Sequence, residues 1–315
     1  MSKIAFIYPG QGAQKAGMGA DFYENSEIAR YIFDQAGEEL DLDMKELCFE
    51  ENDRLDLTEY TQAAMVTTCL AMTRVAESKG LKADITAGLS LGEYPAIAAA
   101  GGMNDMDAIR LVRKRGILMQ NTVPAGEGAM CAVISMAAEE IEKVIEPIAD
   151  VSVANYNCPG QIVITGKTDA VEEAAAKLKE AGARRAIMLN VSGPFHSQML
   201  VPAGEKLAEE LEHTRFHELR IPYVTNVTAE KVTDIRETPG LLTTQISSPV
   251  RWMQSMERMI ADGVDTFVEI GPGKTLEGFL RKIDRSVKVF HISQWEDVDK
   301  VCTELADSGK MMEEA

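Results

Sequence analysis

The sequence predicts an α/β protein whose core is a parallel sheet with helices on its faces, together with a smaller inserted α+β subdomain. The chain has 315 residues, which is long enough for one large core that carries an insertion. Segments typical of strands and helices alternate along most of it, as in a parallel sheet covered by helices. Between residues 128 and 190 the order changes to strand, helix, strand, strand, helix, strand, which is typical of a ferredoxin-like unit.

The first predicted strands each run into a tight turn. Residues 3–8 are an apolar run that stops at a Pro-Gly pair, so we expect a buried strand followed at once by a turn. A short apolar strand covers 85–89, and an alanine-rich helix covers 91–100. Ser90 therefore lies at a turn between a strand and a helix.

The remaining predicted elements lie within and after the inserted unit. Loops with proline and glycine precede and follow that unit. We therefore expect an α/β core formed by 1–125 and 191–315, a ferredoxin-like subdomain formed by 126–190, and a frayed tail over 311–315. The further predicted elements are helices over 60–79, 106–121, 138–148, 169–181, 199–212 and 252–261, and strands over 129–135, 151–155, 161–166, 185–190, 223–226, 266–270 and 287–292.

The composition argues against nucleic acid, membrane and extracellular environments. Lys and Arg number 32 while Asp and Glu number 50, so the net charge is −18 at pH 7, which repels a phosphate backbone. The five cysteines are odd in number and form no CxxC pair, so we expect reduced thiols in a cytoplasmic protein. No apolar run is long enough for a signal sequence or a membrane-spanning helix, so we expect no membrane association.

The leading candidate for chemistry is a GxSxG pattern, Gly88-Leu89-Ser90-Leu91-Gly92, between a predicted strand and a predicted helix. Glycines at both ends permit the strained turn that lifts a serine hydroxyl clear of a sheet. The helix that follows directs N–H groups and the positive end of its dipole at developing negative charge. The pattern predicts a nucleophilic Ser90 in a hydrolase-like core. The alternative is an ordinary turn that prefers small residues.

A serine nucleophile needs a base, and the sequence offers four histidines. His196 lies in a loop that returns from the inserted unit just before a new helix, and loops often carry catalytic groups. His213 and His217 lie at the charged end of a helix, and His291 lies in a short apolar strand. We therefore favour His196 as the base, and a plain loop histidine is the alternative.

Helical periodicity singles out one arginine. In the helix predicted over 106–121 the apolar residues form one stripe, and Arg115 lies in its middle. A buried guanidinium is unfavourable unless it meets an anion, and its planar fork suits a carboxylate. Arg115 is therefore a candidate for binding a substrate carboxylate. The alternatives are pairing with a structural Asp or Glu, and a side chain that reaches solvent.

Two glycine-rich turns are similar to nucleotide-binding motifs but lack required residues. The turn at 10–12 lacks the last glycine of GxGxxG, because Lys15 stands in its place. The run that begins at Gly271 would need a glycine at Val268 to match GxxxxGK[ST]. We therefore expect no nucleotide cofactor at either turn. The first turn can still bring a backbone N–H close to a ligand, as an oxyanion hole requires.

Taken together, these segments resemble the bacterial malonyl-CoA:acyl-carrier-protein transacylases of fatty acid synthesis. They extend over nearly the whole chain in the order of that family, which makes the set far more specific than any single motif. The matching segments are Pro9-Gly10-Gln11-Gly12-Ala13-Gln14, Ser90 with Glu93, Arg115-Gly116 with Met119-Gln120, Asn157-Cys158-Pro159-Gly160-Gln161, Phe195-His196, Gln245 with Pro249-Val250-Arg251-Trp252, and Glu269-Ile270-Gly271-Pro272-Gly273.

The resemblance implies a complete acyl-transfer site. Ser90 would be the nucleophile, His196 its base, and Arg115 the residue that holds the malonyl carboxylate. The backbone N–H groups of Gln11 and Leu91 would form the oxyanion hole. The malonyl group of malonyl-CoA would pass through a malonyl-serine ester to the pantetheine thiol of an acyl carrier protein, with no metal or redox cofactor.

Three further positions bear on this resemblance. The backbone carbonyl of Gln245 would orient the imidazole, where a hydrolase uses an aspartate. Leu89 departs from the family pattern, in which histidine often precedes the nucleophile. Phe195 resembles malonyl-selective members, in which a bulky side chain crowds an α-methyl group.

The implied partner raises a question of charge. Acyl carrier proteins are typically acidic, so two net-negative proteins would have to meet through a local basic patch. A solvated surface is the alternative for each basic residue. The candidates by clustering are Arg184, Arg185, Arg281, Lys282 and Arg285.

Other functions stay open on the sequence alone. A serine hydrolase would use the same strained turn at residues 88–92, here called the elbow, and pass the acyl group to water. A non-catalytic module that binds a carrier protein would leave Ser90 and His196 dispensable. Acyltransferases of polyketide synthesis and the transacylase of malonate decarboxylase share the same residues.

Overall fold

Ten strands organise the residues that the computed structural model describes, which are 3–307; the predicted tail at 311–315 lies outside them. Every strand named here belongs to one of two sheets. The strands are β1 (Lys3–Tyr8), β2 (Ile85–Gly88), β3 (Gly128–Ile134), β4 (Val151–Cys158), β5 (Gln161–Lys167), β6 (Arg185–Met188), β7 (Tyr223–Val224), β8 (Lys231–Val232), β9 (Val264–Ile270) and β10 (Lys288–Ile292).

The larger sheet is parallel except at one edge. Its strand order is β10-β9-β1-β2-β7-β8. Neighbouring strands from β10 to β7 are parallel, and β8 pairs with β7 in the antiparallel direction. The predicted parallel sheet is therefore confirmed, and β1 occupies its centre.

Helices cover both faces of this sheet. Within residues 3–307 no helix is both long and apolar enough to cross a lipid bilayer. The α-helices are α1 (Ala20–Asn25), α2 (Glu27–Leu40), α3 (Met44–Phe49), α4 (Thr58–Ser78), α5 (Glu93–Ala99), α6 (Asp105–Asn121), α7 (Ala138–Ile145), α8 (Thr168–Glu180), α9 (Val201–Glu212), α10 (Thr238–Gln245), α11 (Trp252–Ala261), α12 (Thr275–Ile283) and α13 (Trp295–Asp307). Short 3₁₀ turns cover Ser90–Gly92, Gln198–Leu200 and Ile235–Glu237.

The central strand β1 divides the core into two layers, because successive side chains of a strand point to opposite faces. Phe6 and Tyr8 pack in the layer that contains α4, α5 and α6. Ala5 and Ile7 pack in the layer that contains α11 and α12. Burial on both faces explains why β1 is a continuous apolar run rather than an alternating one.

The smaller sheet has the order β4-β5-β3-β6, and its neighbouring strands are all antiparallel. Together with α7 and α8 this is the predicted ferredoxin-like order. Cys131 and Ile164 face a separate apolar cluster with both helices, whereas Met130 and Val163 face the main core. The exact division into 1–125 with 191–315 and 126–190 stays a prediction.

Backbone hydrogen bonds join the smaller sheet to a loop of the main core. Val250 donates its N–H to the Ala154 carbonyl at 2.8 Å, and the Tyr156 N–H donates to the Val250 carbonyl at 2.9 Å. This bridge ties β4 to the segment between α10 and α11. It fixes the smaller sheet above one end of the larger one.

Several element boundaries differ from the sequence predictions. The helix predicted over 91–100 begins as a 3₁₀ turn at Ser90 and becomes α-helical only at Glu93. The strand predicted over 151–155 continues to Cys158, because two register shifts keep it paired with β5. The helices α1, α2, α3, α10, α12 and α13 and the strand β8 were not predicted. The elements α1, α3 and β8 are short, whereas α2, α12 and α13 are amphipathic helices whose pattern the sequence analysis did not use.

Candidate active site

A cavity of about 420 Å³ opens between the two sheets at the carboxyl ends of β1 and β2. In parallel sheets the residues that follow adjacent strands meet at this edge. The cavity is lined by Ser90, Arg115 and His196, the three residues that sequence analysis proposed for chemistry. The other three histidines do not line it.

The backbone at Ser90 is in the left-handed region, with φ of 51°. Two glycines make this turn possible. A Cβ atom on Gly88 would lie 1.8 Å from the Gly92 carbonyl oxygen, and a Cβ atom on Gly92 would lie 2.2 Å from the Tyr8 carbonyl oxygen. The elbow therefore needs both glycines in order to lie against β1.

Asn226 holds the elbow from the end of β7. Its side-chain oxygen accepts a hydrogen bond from the Ser90 N–H at 2.6 Å, and its side-chain nitrogen donates to the Gly88 carbonyl at 2.7 Å. These bonds compensate a backbone conformation that is unfavourable for serine. Sequence analysis missed this residue. The available signal was an asparagine at the carboxyl end of a predicted strand.

His196 is placed to act as a base toward Ser90. The Ser90 Oγ lies 2.7 Å from His196 Nε2, and His196 Nδ1 lies 2.9 Å from the Gln245 carbonyl oxygen. A carbonyl oxygen only accepts, so Nδ1 carries the proton and Nε2 is free to accept from the serine. Gln245 thus contacts the imidazole through its backbone, as the resemblance implied.

Burial keeps this histidine neutral. His196 is 4% exposed, and burial, followed by the nearby charge of Arg115, lowers its pKa to about 4. The hydrogen bond to Gln245 acts in the opposite direction and is weaker. At neutral pH the imidazole is therefore unprotonated, which is the form that a general base requires.

Arg115 is a buried cation whose direct hydrogen-bond partners are neutral. Its side chain is 1% exposed, and burial lowers its pKa. It donates to Gln62 Oε1 at 2.9 Å, to Gln245 Oε1 at 3.0 Å and to Ser90 Oγ at 3.2 Å. Among residues 3–307 it forms no salt bridge with a carboxylate. The guanidinium therefore retains capacity for an anionic ligand beside Ser90.

The predicted oxyanion-hole residues flank the nucleophile. Gln11 follows β1, Leu91 follows Ser90, and both line the cavity. The Gln11 side chain is fixed by a hydrogen bond from Nε2 to Thr58 Oγ1 at 3.0 Å. The role of the two backbone N–H groups stays a prediction. Leu89 lines the same cavity with an apolar side chain.

Two further residues, Gln62 and Tyr94, complete the surroundings of Arg115 and were not singled out by sequence analysis. Gln62 of α4 binds the guanidinium directly. The ring of Tyr94 lies 5.4 Å from the guanidinium carbon, which favours the cation. Asn157, at the end of β4, lines the cavity. Within residues 3–307 no three His, Cys, Asp or Glu side chains are grouped closely enough to hold a metal ion.

The five basic residues proposed for a surface patch come from the start of β6 and from α12 with the turn after it, and Ile134 of β3 pairs with both Arg185 and the cavity residue Gln161. Arg184 and Arg185 are exposed at the start of β6. Arg281 pairs with Glu277, and Lys282 donates to Gln161 Oε1 at 3.3 Å. Gln161 lines the cavity, so Lys282 lies at its rim.

Replacing Gly88 with alanine tests the elbow. Because the added methyl group would overlap the Gly92 carbonyl, we expect Gly88→Ala to lower the free energy of unfolding by about 3 kcal/mol or more. Urea unfolding measures this quantity. The control is Gly278→Ala in α12, where nothing lies within 4 Å of an added Cβ. There we expect a gain of up to about 1 kcal/mol. Equal effects of the two changes would contradict the proposed close approach.

Replacing Arg115 with methionine tests the coupling between the cation and His196. The rate at which a neutral organophosphate reacts with Ser90 depends on the protonation of His196. Because this reagent has no carboxylate, its binding does not require Arg115. We expect its rate of reaction with the wild type to fall only near pH 4, because the pKa of His196 is lowered to about 4.

In Arg115→Met one cause of that shift is absent, so the pKa of His196 rises. The fall in rate on the acidic side of the pH profile, the acid limb, therefore moves to higher pH. Arg110→Met, which removes an exposed arginine of the same helix, should leave the limb in place. An unchanged acid limb in Arg115→Met would show that the cation does not act on the base.

Comparison with known proteins shows the family. The acyl transferase domain family matches residues 5–298. The chain is 45% identical over 304 residues to the malonyl CoA-acyl carrier protein transacylase of Bacillus subtilis, covering 95% of this chain and 96% of that protein.

Solved structures agree with this assignment. The transacylase of Clostridium perfringens is 42% identical and has a TM-score of 0.94, with 98% of each chain covered. A malonyl-transacylase in complex with a type II PKS acyl-carrier protein is 36% identical, with a TM-score of 0.93 over 96% of this chain and 100% of that one. This chain belongs to the acyl transferase family and, within it, to the malonyl-CoA:acyl-carrier-protein transacylases.

Proposed function

We propose that this chain transfers a malonyl group from malonyl-CoA to the pantetheine thiol of an acyl carrier protein in fatty acid synthesis, through a malonyl ester on Ser90. One observation supports this most directly. The Ser90 Oγ lies 2.7 Å from His196 Nε2 and 3.2 Å from Arg115 Nη2. A nucleophile between a base and a carboxylate-binding cation suits a substrate that carries a thioester at one end and a carboxylate at the other.

The first half-reaction forms the acyl-enzyme. Ser90 Oγ attacks the thioester carbonyl carbon while His196 Nε2 takes the serine proton. The resulting oxyanion is stabilised by the backbone N–H groups of Gln11 and Leu91. When the carbon–sulfur bond breaks, His196 returns the proton to the CoA sulfur, and a malonyl-serine ester is left.

The second half-reaction repeats these steps with a different nucleophile. CoA leaves, and the pantetheine thiol of the carrier protein enters the cavity. His196 takes the thiol proton, the sulfur attacks the ester carbonyl, and the proton passes to Ser90 Oγ as it departs. The sequence is ping-pong, and neither half-reaction needs a metal or a redox cofactor.

Selectivity for malonyl groups follows from the buried cation. An acetyl group would occupy the cavity without offering a carboxylate to Arg115, so the guanidinium would stay without a directly bound anion. Phe195 is buried beside the base and lines the cavity. Its bulk disfavours an acyl group that is branched next to the thioester.

The carrier protein is expected to approach the basic rim of the cavity. The chain has a net charge of −18, so an acidic partner is attracted only where basic residues lie close to the entrance. Lys282 meets this condition through its contact with Gln161. We also place the protein in the cytoplasm, since its five cysteines are free thiols and four of them are buried.

Intact mass spectrometry tests the nucleophile and the acyl selectivity together. We expect the wild type to gain one malonyl group from malonyl-CoA, and much less from acetyl-CoA or methylmalonyl-CoA. Ser90→Ala should gain none, and Ser286→Ala, which changes an exposed serine, should behave as the wild type. An adduct that water removes as fast as a carrier thiol does would identify a hydrolase instead. A wild type without any adduct would overturn the proposal.

Charge reversal tests the docking surface. We expect Lys282→Glu or Arg185→Glu to raise the KM for the carrier protein about threefold or more, because rim charges attract an acidic partner, and to leave the KM for malonyl-CoA unchanged. Steady-state kinetics with each substrate varied in turn measures both constants. Lys300→Glu on α13 is the control, since this exposed lysine does not line the cavity. If the KM for the carrier protein stays unchanged after charge reversal at all five candidate residues, these residues do not form the docking surface.

A further inference from the structure

The Glu93 carboxyl group is buried in the site but does not contact the reacting atoms. It lies at the start of α5, in the first turn after Ser90, and its side chain is 0% exposed. Its Oε2 accepts from Gln245 Nε2 at 2.6 Å and from the Asn226 N–H at 3.2 Å. A buried carboxylate requires such bonds or a nearby cation. The acyl-transfer steps leave this group without a role.

The Gln245 amide joins Glu93 to Arg115. Its nitrogen donates to the Glu93 carboxylate and to the Ser90 carbonyl, at 2.6 and 3.0 Å. Its oxygen accepts from Arg115 Nη2 at 3.0 Å. The amide thus presents its N–H donors to the carboxylate and its oxygen to the guanidinium, so both contacts are favourable. A reversed amide would direct its N–H groups at the cation and its oxygen at the anion.

Glu93 also supplies negative charge to a cation that has no direct carboxylate partner among residues 3–307. The carboxylate attracts Arg115 across the amide and raises the pKa of its guanidinium, against the larger effect of burial. An incoming acyl carboxylate would bring a second negative charge to the same cation. Two carboxylates that share one buried cation leave an uncompensated charge, which protonation of one of them removes.

Burial makes Glu93 the group that can accept this proton. Burial raises its pKa to about 7, although the hydrogen bonds from Gln245 and Asn226 and the charge of Arg115 act to lower it. A carboxyl group in this range changes its protonation near neutral pH. The carboxylate of a malonyl group bound directly to a guanidinium stays ionised there.

We propose, as an extension of the proposed function, that Glu93 is a positioning residue that orients Gln245 and serves as the resident counter-charge of Arg115, and that it takes up a proton when a malonyl carboxylate binds there. The proton comes from solvent, binds to one Glu93 oxygen and leaves when the malonyl group leaves. No bond of the acyl group is made or broken in this exchange. The preference for malonyl over acetyl donors should then increase as the pH falls through neutrality.

Other ionisable groups near Glu93 do not produce this dependence. Burial raises the pKa of the tyrosines and of the cysteine among them, and the arginines stay protonated. β2 carries no ionisable side chain. The groups on and around α5 include Arg115 and Asp105 of α6, Tyr94 of α5, Tyr223 of β7, Tyr8 of β1, and Cys69, Arg74 and Glu77 of α4. Asp105 and Glu77 both pair with Arg74, and the pKa of His196 beside Ser90 is lowered to about 4, below the tested range.

The test measures kcat/KM for acylation of Ser90 by malonyl-CoA and by acetyl-CoA, from about pH 6 to about pH 8.5. In the wild type we expect the malonyl-to-acetyl ratio to fall by up to roughly tenfold as the pH rises, because one unit of pKa change corresponds to a factor of ten. In Glu93→Gln the ratio should be independent of pH and close to the wild-type value at low pH. The amide oxygen of glutamine can still accept from Gln245.

Glu269→Gln provides the matched control. Glu269 is also 0% exposed, and burial raises its pKa to about 7, but it accepts backbone N–H groups of α12 and does not touch Gln245. We expect this variant to keep the wild-type pH dependence of the ratio. A purely structural role of Glu93 would instead lower the rate with both donors equally and leave the pH dependence intact, and that result would overturn the inference.

A second measurement uses the wild type alone. In weakly buffered solution with an indicator dye near pH 7.5, acylation by malonyl-CoA should take up a fraction of a proton per site. Acylation by acetyl-CoA should take up none, and the released CoA thiol contributes equally in both reactions. If malonyl-CoA acylates Ser90 without proton uptake, the inference is wrong and the proposed function stands. If malonyl-CoA does not acylate Ser90, the proposed function fails first.

Discussion

The site depends on the strained backbone of its nucleophile. Ser90 adopts a left-handed conformation that residues with a side chain rarely occupy. Three supports hold it there: the approach of Gly92 to β1, the fit of Gly88 beneath the turn, and two hydrogen bonds with the Asn226 side chain, one accepted and one donated. These supports come from adjacent strands of the larger sheet. The nucleophile is therefore positioned by the most deeply buried part of the fold.

Gln245 connects the parts of the site that would otherwise be independent. Its backbone carbonyl binds His196, its side-chain oxygen binds Arg115, and its side-chain nitrogen binds both Glu93 and the Ser90 carbonyl. A change at one of these groups is transmitted to the others through a single residue. Substitutions among them should therefore not be additive in their effects on activity.

The features that sequence analysis predicted correctly are those that depend on the sequence pattern of a short segment. The strand, turn and helix around Ser90, the ferredoxin-like order of the smaller sheet, and the burial of Arg115 each follow from periodicity or from turn residues within a short segment. The missed features of the site depend on contacts between distant segments. Asn226 and Ser90 lie 136 residues apart, and Glu93 and Gln245 lie 152 apart. No periodic pattern reports such a contact, so the neutral partners of Arg115 became visible only in the folded chain.

The hydrogen bonds between β4 and Val250 have a mechanical consequence. Val250 follows closely after Gln245, whose carbonyl steers the imidazole, while β4 forms a wall of the cavity through Asn155. Tilting the antiparallel sheet away to widen the cleft would pull on this segment and draw the carbonyl away from His196. Cleft width and alignment of the base are thus coupled, so a widely opened cleft would hold an inactive base.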